Sequence, residues 1–169
     1  MLPLFFAALG LLSATPARVG GGAGAKRVGR LSMVSQLQQL SDMTVLSIDT
    51  GDLSVIEQYA ATGVLTDATT NPIFVAQAGL SGDPRYVAFV DRAVAYAKAN
   101  ADASDASAVL ELASDRLAVE LGLEIVKIVP GYVSTEVDIR ASFDTAESLR
   151  RARRIIAMYE AEVTVLSCE

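Results

Sequence analysis

Three short apolar runs in this sequence give way to clusters of small polar and acidic residues, and those clusters hold the side chains suited to chemistry. The run MTVLSI, residues 43–48, ends in Asp49-Thr50-Gly51-Asp52. The run at 63–68 ends in Asp67-Ala68-Thr69-Thr70-Asn71-Pro72, and the stretch 132–137 is marked by Thr135, Glu136 and Asp138. Asp49 and Glu136 are carboxylates able to shuttle a proton or activate water. Asn71 can offer its amide to a substrate hydroxyl or carbonyl, beside the hydroxyls of Thr69 and Thr70. Each has a plainer reading as well. Asp49 can serve as a turn residue or helix cap, Asn71 can cap the helix that Pro72 opens, and Glu136 can pair with Arg140 on a solvated loop. Lys127, within Ile125-Val126-Lys127-Ile128, can be read as a desolvated amine nucleophile. The preferred reading is a lysine that snorkels out of an amphipathic segment. Arg150, Arg151, Arg153 and Arg154 read as a solvated helix face rather than a phosphate site, with Glu147 and Arg151 an ordinary surface pair.

Several chemistries are removed at once. The chain has no histidine, which excludes Ser–His–Asp and Cys–His nucleophile systems and any histidine-based metal site. Its single cysteine, Cys168, supports neither a disulfide framework nor a thiolate metal site. Asp49-Thr50-Gly51 matches the triplet of aspartic proteases. Those enzymes are all-β and continue with apolar residues, whereas here Asp52 and a helix follow.

The elements that must position these residues alternate. A short helix is expected over 33–41 and a strand over 43–48. Asp52 caps a helix with Leu53, Ile56 and Tyr59 on one face. A second strand spans 63–68, and Pro72 sits at a first helical position and holds Asn71 extended. Asp83-Pro84 opens a helix with Val87, Val90, Val94 and Ala97 on one stripe. The next, from about Ser104, aligns Leu110, Ala113, Leu117 and Leu121, and Gly122 ends or loosens it. Pro130-Gly131 turns the chain into a third strand over 132–137. Asp144-Thr145-Ala146-Glu147 is a capping box, opening a helix with Leu149, Ala152 and Ile156 inward. Strands alternating with helices predict an α/β fold with a parallel sheet, whose chemistry lies at the C-terminal ends of the strands.

The first 32 residues stand apart. They hold four of the fourteen basic residues (Arg18, Lys26, Arg27 and Arg30) and none of the twenty acidic ones, leaving a body of ten against twenty, a net of −10. Such a body should avoid nucleic acid and anionic membrane. Residues 2–14, LPLFFAALGLLSA, are too short to span a bilayer. With the acid-free basic stretch that follows, they resemble a bipartite plastid-targeting leader. Residues 1–32 are therefore expected to be a targeting leader that is cleaved or disordered, with no membrane association in the mature form. The alternative is a start codon called too far upstream of Met33 and a cytoplasmic protein.

Taken together, SIDTGDLSVIEQY, LTDATTNPIF, LGLEIVKIVPGYVSTEVDIRASFD and the arginine-rich helix ending IIAMYE closely resemble the transaldolase family, from about Gln36 to Glu160. The pairing of DATTNP with VSTEVD carries the resemblance. It implies that residues 33–169 are the N-terminal part of a (β/α)8 TIM barrel, about its first three β/α units. It also implies transfer of a dihydroxyacetone unit between sugar phosphates in the pentose phosphate pathway, through a lysine Schiff base and with no metal or organic cofactor. The substrates implied are fructose 6-phosphate, sedoheptulose 7-phosphate, erythrose 4-phosphate and glyceraldehyde 3-phosphate. By motif, Asp49 matches the acid/base, Glu136 the carboxylate that works through a catalytic water, and Asn71, with Thr69 nearby, the amide that orients the three-carbon unit.

One departure stands out. The family's Schiff-base lysine follows the arginine-rich helix in a run resembling RILIKLSST, whereas this chain reads AEVTVLSCE and no lysine follows Lys127. The expectation is a chain truncated before its Schiff-base lysine and inactive by itself, with unpaired strand edges and an uncovered apolar barrel interior. The alternatives are a non-catalytic truncated isoform or gene-model fragment, and a fructose-6-phosphate aldolase-like lyase. A full-length form is expected to be capable of homodimer formation.

Overall fold

Asparagine or aspartate side chains start most of the helices. Asp52 accepts from the amides of Ser54 and Val55, Asn71 from Ile73, Asp83 from Arg85, and Asp105 from Ser107 and Ala108. Each side-chain oxygen takes up a first-turn N–H that has no partner inside the helix. The computed structural model describes residues 33–166, with side-chain surroundings for 36–162. The expected leader at 1–32, the Cys168 thiol and the last residues of the tail lie outside the described residues.

The order is α1 (Met33–Ser41), β1 (Ser47–Asp49), α2 (Leu53–Ala60), β2 (Asp67–Thr70), α3 (Pro72–Leu80), α4 (Pro84–Asn100), α5 (Ala106–Ile125), β3 (Val133–Thr135), a 3-10 turn (Ile139–Ala141) and α6 (Thr145–Leu166). The strands form one parallel sheet in the order β1-β2-β3. This is an α/β fold of the kind found in part of a TIM barrel.

All three strands are shorter than expected, and the first two lie further along the chain. The apolar run at 43–48 begins as a turn off α1, where Met43 and Thr44 donate to the Leu40 carbonyl. Pairing starts only where the amides of Thr66 and Asp67 reach the Leu46 carbonyl, both at 3.1 Å. In the second run, Gly63 takes a left-handed conformation (φ 74°), and Val64 and Leu65 enter the core before the ladder begins. Apolar residues mark what is buried, whereas the ladder needs a partner strand.

The core has two parts that share α5. Leu53 and Ile56 from α2 and Ala68 from β2 meet Ala118, Leu121 and Ile125. On another side, Leu112 and Val119 meet Ala97 of α4 and Ile155 and Met158 of α6. A helix packed on more than one side does not obey a single stripe. Leu110 of the expected stripe is therefore 68% exposed, while Asp115, Arg116 and Glu120 are buried. Gly122 does not end α5. The helix runs on to Ile125, and a Cβ at 122 would collide with the Tyr159 hydroxyl.

The expected faces of α4 and α6 are likewise rotated. On α4, Phe89, Ala93 and Ala97 are buried while Val87 is exposed. On α6, Arg151, Ile155 and Met158 are buried while Leu149 and Ile156 are exposed. Tyr59 of α2 is also exposed. The capping box is half formed: Asp144 accepts from the Glu147 amide at 3.0 Å, but the Glu147 carboxylate turns to Arg150 and Arg151.

Candidate active site

Side chains alternate across a strand, so the register sorts the sheet into two faces. Ala68 lies beside Val133 and Thr70 beside Thr135, on the face covered by helices. Asp49 lies beside Thr69, and Thr69 beside Ser134, on the other face. Glu136, two residues past Ser134, follows the same side. Ser47, Asp49, Ser134 and Glu136 are exposed, and Asp67 and Thr69 partly so. The uncovered face of these strands is therefore polar, not the apolar interior expected. The acids sit where the strands end, because β/α strands deliver their last residues to the loops.

Asp49 and Thr69 meet directly: the Thr69 hydroxyl donates to Asp49 Oδ1 at 2.7 Å. The Glu136 carboxyl is pushed above its usual range by partial desolvation, and the negative charge of Asp49 adds to the push. The two carboxylates therefore sense each other across the ends of β1 and β3. A carboxyl whose proton is held closer to neutrality is suited to exchanging it with water or a substrate oxygen.

Asn71 has extended backbone (φ −74°, ψ 134°), and its side-chain oxygen accepts from the Ile73 amide at 2.9 Å. The capping role is thus real. It occupies the oxygen and leaves the amide nitrogen, which has no hydrogen-bond partner among the described residues. Strand alternation carries Asn71 to the Thr69 side. Thr70 faces the covered side and is 1% exposed.

Arg140 pairs with Asp138 rather than Glu136, so the surface-pair reading of Glu136 does not hold. Lys127 lies on the turn that precedes β3, away from the acids. It is exposed and paired with Glu124 at 2.7 Å, as expected of a snorkelling lysine.

The arginine cluster is not simply a solvated face. Arg150 and Arg153 are exposed, but Arg151 is 5% exposed. It contacts Glu111 at 2.9 Å, Glu147 at 3.0 Å and Asp138 at 3.2 Å. Arg154 pairs with Glu111 and Asp115. Asp138 also accepts from the Arg140 amide, so this network holds the loop that carries Glu136. Sequence reading missed Ser134 and the inward turn of Arg151. Alternation along Val133-Ser134-Thr135-Glu136 signals the first. The second depends on Glu111 and Asp138, 40 and 13 residues earlier, as well as on the nearby Glu147, and only the Glu147 pair is local.

A parallel β/α sheet with acid, hydroxyl and amide groups gathered at its strand ends defines a β/α enzyme scaffold. The family model described as Transaldolase/Fructose-6-phosphate aldolase matches residues 46–165, a little further along the tail than the expected limit near Glu160. The transaldolase of Actinobacillus pleuropneumoniae serotype 5b is 49% identical over 126 residues, covering 75% of this chain and 38% of that protein. The Haemophilus influenzae (strain PittEE) transaldolase is 48% identical over 129 residues, covering 76% and 38%. That of Histophilus somni (strain 2336) is 47% identical over 127 residues, covering 75% and 38%. The chain belongs to the transaldolase/fructose-6-phosphate aldolase family, and it spans 38% of the length of these curated relatives.

Proposed function

We propose that this chain supplies the first three strands of a (β/α)8 transaldolase barrel that moves a dihydroxyacetone unit from a ketose phosphate to an aldose phosphate. The observation that carries the reading is the joining of Asp49, Thr69 and Glu136 on one open face of the sheet. In this reading an amine condenses with the ketose carbonyl and water leaves. Glu136 hands a proton to that water. Asp49 takes the proton of the hydroxyl beside the breaking C–C bond and returns it to the aldehyde acceptor when the new bond forms. The amide nitrogen of Asn71 donates to an oxygen of the three-carbon unit, and Thr69 orients Asp49.

The substrates are fructose 6-phosphate, sedoheptulose 7-phosphate, erythrose 4-phosphate and glyceraldehyde 3-phosphate, as in the pentose phosphate pathway. A full-length form would be capable of homodimer formation, and residues 1–32 would direct it to a plastid. Diffuse cytosolic fluorescence from a fusion of residues 1–40 would refute that address. The family also includes fructose-6-phosphate aldolase, but the relatives are named transaldolases, which favours transfer over cleavage. None of Lys26, Lys98 and Lys127 is the Schiff-base amine, so residues 1–169 alone are inactive.

Two experiments test this. Residues 33–160 are joined to the remainder of the Haemophilus influenzae relative, and turnover is measured. Asp49→Ala and Glu136→Ala should each lower kcat by roughly 10²–10⁴-fold while leaving folding intact, the usual scale for acid–base groups. Near-normal rates in both would refute the assignment. Residues 1–169 are also treated with fructose 6-phosphate and borohydride and weighed intact. No adduct is expected, and a stoichiometric one on Lys127 would show that the nucleophile is misassigned.

A further inference from the structure

Asp49 stands at the end of a three-strand sheet, followed by only three residues before α2 begins. What holds that short loop decides where the carboxylate points. Its hydrogen bond to Thr69 is a single contact, and nothing in the strand ladder extends beyond it.

A side chain from another element reaches into this loop. Tyr86, in the first turn of α4, places its hydroxyl between two backbone groups of the loop. The hydroxyl donates to the Gly51 carbonyl at 2.9 Å and accepts from the Leu53 amide at 2.9 Å. A phenol has one proton to donate, so the two bonds fix its orientation. Leu53 is the first residue of α2, and its amide is one of the donors left open at a helix start. Asp52 reaches the next two amides, Ser54 and Val55, and leaves this one to Tyr86.

The opposite side of the loop is closed too. Gly51 is buried, and a Cβ there would lie 2.8 Å from the Phe74 carbonyl oxygen. The loop is therefore gripped between α3 and α4. The Tyr86 ring is itself seated, edge-on against Phe89 with centroids 5.8 Å apart. Burial also pushes the Tyr86 hydroxyl above its usual range, which keeps the proton that Gly51 accepts.

We propose that Tyr86 is a positioning residue: by clamping Gly51 and Leu53 it sets the backbone from which Asp49 meets Thr69 and faces Glu136. It touches no reacting atom in the proposed reaction. Its catalytic consequence rests on the reading of Asp49 as the acid/base, whereas its geometric consequence does not.

The test separates the two. In residues 1–169, the Glu136 carboxyl is titrated by carbon NMR in the parent chain and in Asp49→Asn, Tyr86→Phe and Ser114→Ala. Asp49→Asn removes the neighbouring charge and should lower the Glu136 midpoint. Tyr86→Phe keeps the ring, frees the loop, and should lower the midpoint part of the way towards that value. Ser114→Ala deletes a hydroxyl bonded to the Leu110 carbonyl within α5, outside both loops, and should leave the midpoint unchanged. An unchanged midpoint in Tyr86→Phe overturns the proposal. Should that variant not fold, hydrogen exchange in the parent chain decides: a protected Leu53 amide supports the clamp and an unprotected one overturns it. In the chimera with the Haemophilus influenzae relative, Tyr86→Phe should lower kcat roughly 10-fold or more with KM unchanged, because small misplacements of a reacting group cost rate. A shifted Glu136 titration in a chimera that never turns over would leave the clamp standing and refute the enzymatic reading.

Discussion

The loop after β1 and the loop after β3 each bring an acid to the same open face, but they are held by different forces. The first, carrying Asp49, is held chiefly by neutral groups, the Tyr86 hydroxyl and the Gly51 backbone packed on Phe74, with the charged Asp52 cap at the start of α2 as its one ionic element. The second, carrying Glu136, is held by ions. Asp138 accepts from Arg140 and contacts Arg151, which also gathers Glu111 and Glu147. A neutral clamp responds weakly to pH and salt. A buried ion network is costly to break at one member, because the charges left behind lose their partner. One acid is thus fixed mainly by uncharged contacts, and the other is tied to a titratable network.

The comparison is sharpened most by removing Arg151. Arg151→Leu removes the buried cation that Glu111, Asp115 and Asp138 share, leaving Arg154 with Glu111 and Asp115 and Arg140 with Asp138. Its expected cost is roughly 3 kcal/mol, the lower part of the range for breaking a buried pair, since Glu111 and Asp138 keep some solvent. Urea unfolding checks this, and a cost no larger than that of Tyr86→Phe would erase the distinction between the loops.

Acid should act on the ionic side next. Burial pushes Glu111 up, but hydrogen bonds from Arg150, Arg154 and Arg151 outweigh it and bring its carboxyl down from 4.5 to about 2. Asp138 is also lowered, chiefly by its bond from Arg140. A carboxyl depressed in the folded state contributes stability above its unfolded value and loses it as pH falls through the folded one. Stability should therefore decline between pH 4.5 and about 2. Glu111→Gln should flatten that decline when thermal unfolding is followed against pH, and Tyr86→Phe should leave its slope unchanged.

Tyr86→Phe itself should cost roughly 1 kcal/mol in urea unfolding, the scale of a part-buried neutral hydrogen bond. The smallest effect is expected at Glu136. Its carboxyl is raised by partial burial and by Asp49, so its charged form slightly opposes folding near neutral pH. Glu136→Gln should raise the neutral-pH unfolding temperature a little, and the gain should vanish in acid once the parent Glu136 is protonated. A loss of stability instead would mean that the carboxylate has a favourable partner.

The helix starts were legible because each is a local event. Asp52, Asn71 and Asp83 bond to amides two or three residues ahead, so four consecutive residues suffice to see them; the Asp105 cap, just past the start expected near Ser104, went unread. The strand ends that carry Asp49, Thr69 and Glu136 were legible as polar breaks after apolar runs, although the strands proved shorter and the first two later. Which residues pair is decided by a neighbouring strand about 20 or 65 positions away. The faces of α4, α5 and α6 failed in part for the same reason, whereas Leu53 and Ile56 of α2 are buried as expected. Val87, Leu110, Leu149 and Ile156 satisfy helical periodicity, yet they lie exposed because α4, α5 and α6 are oriented by one another.

From sequence alone came the parallel β/α order, the caps, and the residue types gathered at the strand ends, because local hydrogen bonding and hydrophobic patterning need no distant partner. Tertiary structure alone decided that Asp49 meets Thr69, that Tyr86 grips the loop beyond it, and that Arg151 turns inward to Glu111 and Asp138. The physical reason is that each of those contacts joins groups on different elements. Their energies appear only once the helices and strands have packed, when burial makes a hydroxyl or guanidinium seek partners beyond those its neighbours in sequence supply.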